Sequence, residues 1–388
     1  MLYDILIRSA QTFGDRTAIE FKQRRYHYRE LLNMTDILAE SFRKLGLKPG
    51  DRLSLYLYNC PEIVLVYFAC FKLGVTVVPI NYRLKEDEAR YIINHSRPTL
   101  LISEQSLFCR IAGIRPELAS LEHCYLLDPS EAFEDTRAFS DLLTPLQRPA
   151  PAAEFPSDSE AVILYTSGTT GAPKGAVLAH DQMMTHTRGH CDLVRFDSSD
   201  RVLVCLALAN NFAFSHQMLC SLCAGATLVI APDFDPDEVL EKIEHEAITM
   251  LYMMPVMYHA LNKAAESKMH PVPNRLRLAI VAGDTTPAVV VENFKRTFGL
   301  ELCEGIGMTE TQIYALNPTG AGKQFGSVGR PVGYTEVAVQ DDEGSAAPTG
   351  EIGEIAVRGN IVLRRYLDNP EANASSFRNG WFLTGDLG

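Results

Sequence analysis

The chain has 388 residues, of which 46% are hydrophobic and 22% are charged, and its formal net charge at pH 7 is −12. This length exceeds one ordinary hydrophobic core, and the composition is that of a soluble globular protein with two or three packed units. The acidic balance disfavours a broad nucleic-acid-binding surface, although local positive charge can still bind phosphate.

The first 150 residues alternate predicted helices and strands. "TAIEF" and "DRLSLYLY" are strand candidates, and a helix with apolar residues at helical spacing separates them. A second helix follows Pro61, stops at Gly74 and precedes a buried strand. Residues 63–80 are the most apolar stretch of this region, but Lys72, Gly74 and Pro79 interrupt it, so we expect no membrane span.

The cysteines and the N-terminal segment indicate a cellular compartment. Nine cysteines are scattered without regular spacing, and several, such as Cys70 and Cys205, lie in apolar runs. This usage favours reduced, buried thiols over a disulfide framework. Asp4 and Arg8 stand where a signal peptide needs an unbroken apolar segment. We therefore expect a cytoplasmic protein.

Composition breaks divide the rest of the chain. Residues 145–160 are rich in Pro and Ala, and after them come the apolar runs "RVLVCLAL", "ATLVIAP", "ITMLYMMP" and "LRLAIVAG", separated by helical segments. One such helix has Asp235 or Asp237 as a plausible cap. After Asn317, Gly and Pro become frequent and short strands such as "TEVAVQD", "GEIAVRG" and "IVLRRYL" follow.

These patterns predict an α/β fold with three parts. Residues 1–150 and 151–318 form two α/β subdomains whose mainly parallel sheets are layered with helices. Residues 319–388 form a small distorted β-barrel subdomain, and all three parts build one domain.

A Gly- and hydroxyl-rich segment, "TSGTTGAPKG", follows a predicted strand at residues 161–165. Glycines let backbone N–H groups approach an anion, hydroxyls add donors, and Lys174 supplies a positive charge. The segment is not a Walker A sequence, because Pro173 precedes the lysine and Gly175 replaces the metal-binding hydroxyl residue. We expect it to bind phosphate through Thr166, Ser167, Gly168, Thr169, Thr170, Gly171 and Lys174.

The segment closely resembles the signature loop of the adenylate-forming enzymes, which include acyl-CoA and aryl-CoA synthetases and peptide-synthetase adenylation domains. Four further motifs follow in the order of that family: "VAGDTTP", "GIGMTE", "GEIGEIAVRG" and "NGWFLTGDLG". The resemblance implies that Thr309 contacts the α-phosphate of ATP, Glu310 holds Mg²⁺, and Asp386 binds the ribose hydroxyls. It also implies a nucleotide site that includes Gly283, Asp284, Glu304, Gly305 and Ile306.

The resemblance implies a two-step reaction. A carboxylate oxygen attacks the α-phosphorus of ATP, pyrophosphate leaves, and the acyl-adenylate then passes to the thiol of coenzyme A. The alternative acceptor is the phosphopantetheine of an acyl carrier protein. Adenylation requires placement of two anions and neutralisation of their charge, for which Lys174, Thr309 and Glu310 are the candidate catalytic residues. A non-catalytic acyl-adenylate-binding module is the alternative of a different class.

Family members continue beyond "TGDLG" into a hinge and a smaller C-terminal domain. The resemblance therefore implies that this chain is the large N-terminal portion, which binds ATP, acid or adenylate but turns over slowly on its own.

The acyl pocket is expected to be lined by residues 206–218. Ala213 stands where amino-acid-activating domains carry a carboxylate, so an α-amino acid is disfavoured. A hydrophobic acid, fatty or aryl, remains, and the wall has more polar atoms than an alkyl tunnel needs. The alternative is that these polar side chains face backbone groups or water. The candidate pocket residues are Asn210, Asn211, Phe212, Ser215, His216, Ala282, Gly307 and Met308.

Overall fold

The computed structural model describes residues 1–130, 133–145, 151–166, 172–268, 271–318, 320–324 and 326–388. The strands within these ranges are β1 (Thr17–Phe21), β2 (Arg24–His27), β3 (Arg52–Tyr56), β4 (Thr76–Ile80), β5 (Leu100–Glu104), β6 (His123–Leu127), β7 (Thr136–Ala138), β8 (Glu160–Thr166), β9 (Lys174–Ala179), β10 (Arg201–Val204), β11 (Thr227–Ile230), β12 (Met250–Met253), β13 (Leu278–Val281), β14 (Cys303–Met308), β15 (Gln312–Asn317), β16 (Arg330–Pro331), β17 (Glu336–Gln340), β18 (Glu354–Arg358), β19 (Arg365–Tyr366), β20 (Phe377–Arg378) and β21 (Trp381–Leu387).

The helices in the same ranges connect most of the parallel strands. They are α1 (Tyr3–Phe13), α2 (Tyr28–Lys44), α3 (Pro61–Leu73), α4 (Glu86–Ser96), α5 (Gln105–Ile111), α6 (His180–Val194), α7 (Cys220–Ala224), α8 (Pro236–His245), α9 (Pro255–Ala264), α10 (Ala288–Phe298) and α11 (Pro370–Ser375). A π-helix, Phe212–Leu219, directly precedes α7.

Two large sheets and one small sheet build the described chain. One sheet has nine strands in the order β16-β15-β14-β13-β12-β10-β11-β1-β2, parallel from β14 to β1 and antiparallel at both edges. The second has eight strands in the order β19-β9-β8-β4-β3-β5-β6-β7, parallel from β8 to β7. The third is antiparallel, in the order β17-β18-β21-β20.

The central strands are apolar because they are covered on both faces. All residues of β4 and β12 are buried, as expected for parallel strands. Helix α3 is buried on nearly all sides, and its single lysine, Lys72, pairs with Asp36 at 2.9 Å. No helix in the described ranges combines the length and the hydropathy needed to cross a bilayer.

The predicted alternation of helices and strands is confirmed. Gly74 adopts φ = 69° and ends α3, as the sequence predicts, since this left-handed conformation favours glycine. Asp235 is the cap of α8, because its Oδ1 accepts from the backbone N–H groups of Asp237 and Glu238.

The small sheet confirms two of the three strands predicted after Asn317. "TEVAVQD" and "GEIAVRG" form β17 and β18, whereas only Arg365–Tyr366 of "IVLRRYL" is a strand, and it pairs with β9 of the eight-stranded sheet. Sheet membership also crosses the boundary predicted at residue 150, since β1 and β2 join the nine-stranded sheet while β8 and β9 join the other. The three-part division stays a prediction.

All nine cysteines are free in the structure, and the expectation of reduced thiols stays a prediction. Most are buried, and burial raises the pKa of thiols such as Cys70. Within the described chain no group of three or more His, Cys, Asp or Glu side chains is arranged to hold a metal ion.

Candidate active site

A cavity of about 890 Å³ lies where the parallel strands of the nine-stranded sheet end. Its lining includes residues that directly follow β12 and β13, among them Met254 and Ala282, and the end of β14 at Met308. The carboxyl ends of parallel strands are the usual place for ligands in α/β sheets. The ends of β8 and β9 and residues of the small sheet, such as Glu354 and Thr384, complete the lining, so all three sheets contribute.

The cavity brings together residues from all six segments that the sequence singled out. Twelve predicted site residues line it: Thr166, Lys174, Asn210, Asn211, Phe212, His216, Ala282, Gly283, Gly307, Met308, Thr309 and Glu310. The predicted loop residues Ser167, Gly168, Thr169, Thr170 and Gly171 lie outside the described residues.

The two ends of the predicted phosphate loop meet at the cavity. Thr166, the last residue of β8, is the antiparallel partner of Lys174, the first residue of β9. The Lys174 ammonium lies 5.3 Å from the centroid of the Tyr366 ring, within the range of a cation–π interaction. No acidic side chain of the described ranges forms an ion pair with Lys174, so its charge is available to an anion in the cavity.

A tight hairpin between β14 and β15 positions Glu310. The Thr311 N–H donates to the Met308 carbonyl at 3.3 Å, and the Leu363 N–H donates to the Glu310 carbonyl at 2.7 Å. Gly307 lies at a bulge in this hairpin, and a Cβ there would be 2.2 Å from the Gln312 carbonyl oxygen. The motif therefore needs glycine at this position, because any side chain would collide with the opposite strand.

The Glu310 carboxylate is buried and contacts two neutral hydroxyls. Its Oε1 accepts from the Thr166 hydroxyl at 3.3 Å and from the Tyr366 phenol at 2.9 Å. Burial, together with this carboxylate, raises the pKa of the Tyr366 phenol. No described cation pairs with Glu310. A lone anionic oxygen donor in the same cavity as a lysine suits a hard cation whose other ligands are phosphate oxygens and water, so the donor set fits Mg²⁺.

A second wall of the cavity carries amide and imidazole groups. The Asn211 Nδ2 donates to Gln312 Oε1 at 3.0 Å, and the Ser215 hydroxyl lies 2.8 Å from His216 Nδ1. Burial holds the pKa of the His216 imidazole well below its ordinary value, so the ring is neutral. By contrast, Asn210 Oδ1 accepts from the Phe212 backbone N–H at 2.8 Å. This contact matches the alternative expectation that a polar side chain of the pocket wall faces a backbone group.

Other predicted residues lie behind or beside the cavity. Ser215 is buried, and its hydroxyl donates to the Asn211 carbonyl at 2.7 Å. Glu304 forms an ion pair with Lys323 at 3.3 Å. Gly305 and Ile306 lie on β14, and Ile306 packs against the main hydrophobic core.

Two predicted nucleotide-binding carboxylates are exposed. The Asp284 carboxylate accepts from the Thr285 N–H at 2.7 Å. Asp386 is exposed and follows Gly385, which does line the cavity. Their roles in nucleotide binding stay predictions.

Two lining residues that hydrogen-bond to predicted site residues, Gln312 and Tyr366, were not themselves predicted from the sequence. Gln312 lies two positions after Glu310, so an extension of the "GMTE" motif by two residues would have included it. Tyr366 has no comparable signal, because it reaches Glu310 only through the pairing of β19 with β9.

Comparison with known proteins supports the family resemblance. The chain is 30% identical over 381 residues to the indoleacetate–CoA ligase of Aromatoleum aromaticum. The aligned region covers 96% of this chain and 73% of the ligase. The structure of the anthranilate CoA ligase AuaEII in complex with anthranoyl-AMP has a TM-score of 0.91 at 29% identity and covers 100% of this chain and 75% of that chain.

The inhibitor-bound N-terminal domain of FACL13 from Mycobacterium tuberculosis has a TM-score of 0.90 at 27% identity, over 100% of this chain and 96% of that chain. Residues 6–367 match the family described as AMP-binding enzyme. The chain therefore belongs to the AMP-binding enzyme family, whose adenylate-forming members its motifs resemble.

Proposed function

We propose that this protein activates a hydrophobic carboxylic acid with ATP and transfers the acyl group to a thiol. A carboxylate oxygen of the acid attacks the α-phosphorus, the bond to the pyrophosphate oxygen breaks, and an acyl-adenylate forms. The coenzyme A thiol then attacks the acyl carbon and AMP leaves. The observation that carries this proposal is the meeting of Thr166, Lys174 and Glu310 in one cavity at the strand ends.

Each residue supplies placement or charge, which is what phosphoryl chemistry requires from a protein. Lys174 neutralises phosphate oxygens and thereby lowers the repulsion between the nucleotide and the incoming carboxylate. Thr309 provides a hydroxyl at the cavity surface, whereas the Thr166 hydroxyl donates its proton to Glu310 Oε1. Glu310 would hold Mg²⁺, which when bound would stabilise negative charge on the phosphates. The neighbouring Tyr366 phenol orients the Glu310 carboxylate through their 2.9 Å hydrogen bond.

The lining of the cavity favours an acid with an apolar body. Leu206, Phe212, Met254 and Met308 supply apolar surface for it. The similar proteins are CoA ligases named for aryl acids, such as indoleacetate and anthranilate, and for a long-chain fatty acid, so the proposal keeps both an aryl and a fatty acid. Coenzyme A is the proposed acceptor because these similar proteins are named as CoA ligases. The phosphopantetheine of a carrier protein is the alternative.

Binding of non-hydrolysable acyl-sulfamoyl adenosines tests the proposal. These compounds mimic the acyl-adenylate, and isothermal calorimetry with a panel of aryl, fatty and amino acid derivatives reports which class the cavity accepts. We expect aryl or fatty derivatives to bind and the α-amino acid derivatives to bind far more weakly. Absence of binding by every member of the panel, with no binding of ATP and Mg²⁺, would contradict the proposed function.

A further inference from the structure

A short segment around the two-residue strand β19 connects the elements that carry both charged groups of the cavity. The Leu363 N–H donates to the Glu310 carbonyl at 2.7 Å, which ties the segment to the hairpin that carries this carboxylate. Three residues later, Tyr366 pairs with Ala176 on β9, the strand that begins with Lys174. The segment therefore contacts the elements that place the proposed metal-binding and phosphate-binding side chains.

The Tyr366 side chain contacts both charged groups at once. Its phenol donates to Glu310 Oε1 at 2.9 Å, and its ring faces the Lys174 ammonium, which lies 5.3 Å from the centroid. A carboxylate that accepts such a hydrogen bond and an ammonium that faces an aromatic ring both lose freedom to turn elsewhere. Because Tyr366 is only 5% exposed, the ring is itself held by the residues packed around it.

The hydrogen bonds to Glu310 leave one of its oxygens available. The Thr166 hydroxyl and the Tyr366 phenol both donate to Oε1, at 3.3 and 2.9 Å. No described residue donates to Oε2, so this oxygen is the one that can bind a cation in the cavity. The phenol thus fixes the direction of the free oxygen without competing for it.

Asn373 of helix α11 holds the backbone of Tyr366. Its Oδ1 accepts from the Tyr366 N–H at 2.7 Å, and its Nδ2 donates to the Tyr366 carbonyl at 3.0 Å. Strand β19 is the edge of its sheet, and the N–H of the next residue, Leu367, donates to the Gly175 carbonyl on β9. Backbone groups of successive residues in a strand point in opposite directions, so those of Tyr366 point away from β9, where Asn373 satisfies them.

We propose that one aromatic side chain, Tyr366, positions both the Glu310 carboxylate for Mg²⁺ and the Lys174 ammonium for phosphate. Asn373 acts through Tyr366 as a second positioning residue, since it does not line the cavity itself. This inference rests on the proposed function and deepens it, because it makes the metal and phosphate groups depend on the same ring.

Two variants of Tyr366 separate the role of its hydroxyl from that of its ring. Tyr366→Phe removes the hydrogen bond to Glu310 but keeps the ring, and calorimetry with ATP should show the gain in affinity from Mg²⁺ reduced about tenfold. Its affinity for ATP without Mg²⁺ should equal that of wild type. Tyr366→Leu removes the ring as well, so ATP binding without Mg²⁺ should also weaken, about three- to tenfold.

A control ligand and a control variant exclude a general distortion of the cavity. The acyl-sulfamoyl adenosine that wild type binds most tightly lacks the β- and γ-phosphates, so both Tyr366 variants should bind it as wild type does. Asn373→Ala should show both losses in ATP binding in weaker form. Asn360→Ala should show neither, because the Asn360 amide donates to the Thr185 hydroxyl at 3.0 Å instead.

Double variants test whether Tyr366 acts through the named partners. In a Glu310→Gln background, Tyr366→Phe should cause no further loss of the Mg²⁺ effect, since the anionic partner of the phenol is already absent. In a Lys174→Ala background, Tyr366→Leu should not weaken Mg²⁺-free ATP binding any further. Losses that add in full in either background would overturn the inference.

Two other outcomes overturn the inference and leave the proposed function intact. If Mg²⁺ strengthens ATP binding to Tyr366→Phe as much as to wild type, the phenol does not position Glu310. Equal losses for ATP and for the adenylate analogue in Tyr366→Leu or Asn373→Ala would indicate a merely structural role. If wild-type protein bound neither ATP nor any adenylate analogue, the proposed function itself would fail.

Discussion

The Thr166 hydroxyl donates a hydrogen bond to Glu310 Oε1 at 3.3 Å, although 144 residues separate the two in the chain. Thr166 ends β8 in the eight-stranded sheet, whereas Glu310 lies on the hairpin that leaves β14 in the nine-stranded sheet. Their contact joins the start of the predicted phosphate loop to the predicted metal ligand. The site therefore depends on how the two large sheets are held against each other.

Replacement of Glu310 tests the metal assignment. Glu310→Gln keeps the size of the side chain but removes the anionic oxygen, and we expect Mg²⁺-dependent ATP binding to fall about ten- to a hundredfold. Calorimetry with ATP, with and without Mg²⁺, measures the change. Glu336 is exposed at the start of β17 in the small sheet, so Glu336→Gln should bind as wild type. If Mg²⁺ strengthens ATP binding to Glu310→Gln as much as it does for wild type, this carboxylate is not the metal ligand.

Lys174 is expected to act on the phosphates that leave as pyrophosphate. Lys174→Ala should weaken ATP binding about tenfold or more, and it should weaken binding of an acyl-sulfamoyl adenosine much less, because that ligand lacks the β- and γ-phosphates. Lys295→Ala is the control, since this lysine pairs with Glu301 on the protein surface. Equal losses for ATP and for the adenylate analogue in Lys174→Ala would contradict the assigned role.

The sequence predicted those parts of the site that depend on local chemistry. The residue types of the Gly- and hydroxyl-rich segment predicted Thr166 and Lys174, whereas Glu310 was predicted from the resemblance of its motif to a known family, and all three line the cavity. The apolar runs likewise predicted the buried strands. The partner of each strand was not predictable, because burial sets the composition of a strand but not the identity of its neighbour. Tyr366 was missed for this reason, since a two-residue strand, β19, brings it to Glu310.

Buried histidines predict a loss of stability in acid. Burial lowers the pKa of His180 and of His190 to about 3, whereas an unfolded histidine titrates near 6.5. Below about pH 6.5 the unfolded chain binds protons that the folded chain does not, so the free energy of unfolding should fall as the pH falls toward 3. The slope is up to about 1.4 kcal/mol per pH unit for each such histidine. Urea denaturation at pH 7.5, 6.0 and 5.0 measures it.

One substitution isolates this effect from other acid-sensitive groups. His180 packs between Phe71 and Phe155, with ring centroids 5.4 and 5.2 Å away, and neither of its nitrogens has a partner in the described chain. His180→Phe should therefore fold, retain its stability at pH 7.5 and lose less of it at pH 5.0 than wild type. The exposed His245→Gln is the control and should keep the wild-type slope. A His180→Phe slope identical to that of wild type would contradict the burial argument.

The ion pair of Arg277 with Asp200 predicts a stability effect that is independent of the site. The buried Asp200 carboxylate accepts from Arg277 Nε and Nη2 at 2.6 and 2.5 Å and from the Thr249 hydroxyl at 2.8 Å. Arg277→Met leaves that carboxylate without a cation and should cost about 2–3 kcal/mol, below the range for fully buried pairs because the arginine is 37% exposed. Urea denaturation measures the loss.

The double variant Arg277→Met with Asp200→Asn should recover part of this stability, because it removes the unpaired charge as well. Arg358→Met, which breaks an exposed pair with Glu336, should change stability little. Asp200 and Arg277 precede β10 and β13, at the ends of these strands opposite the cavity, so adenylate analogues should bind the folded Arg277→Met variant as they bind wild type. If Arg277→Met leaves the free energy of unfolding unchanged, then solvent, not the arginine, stabilises the Asp200 carboxylate.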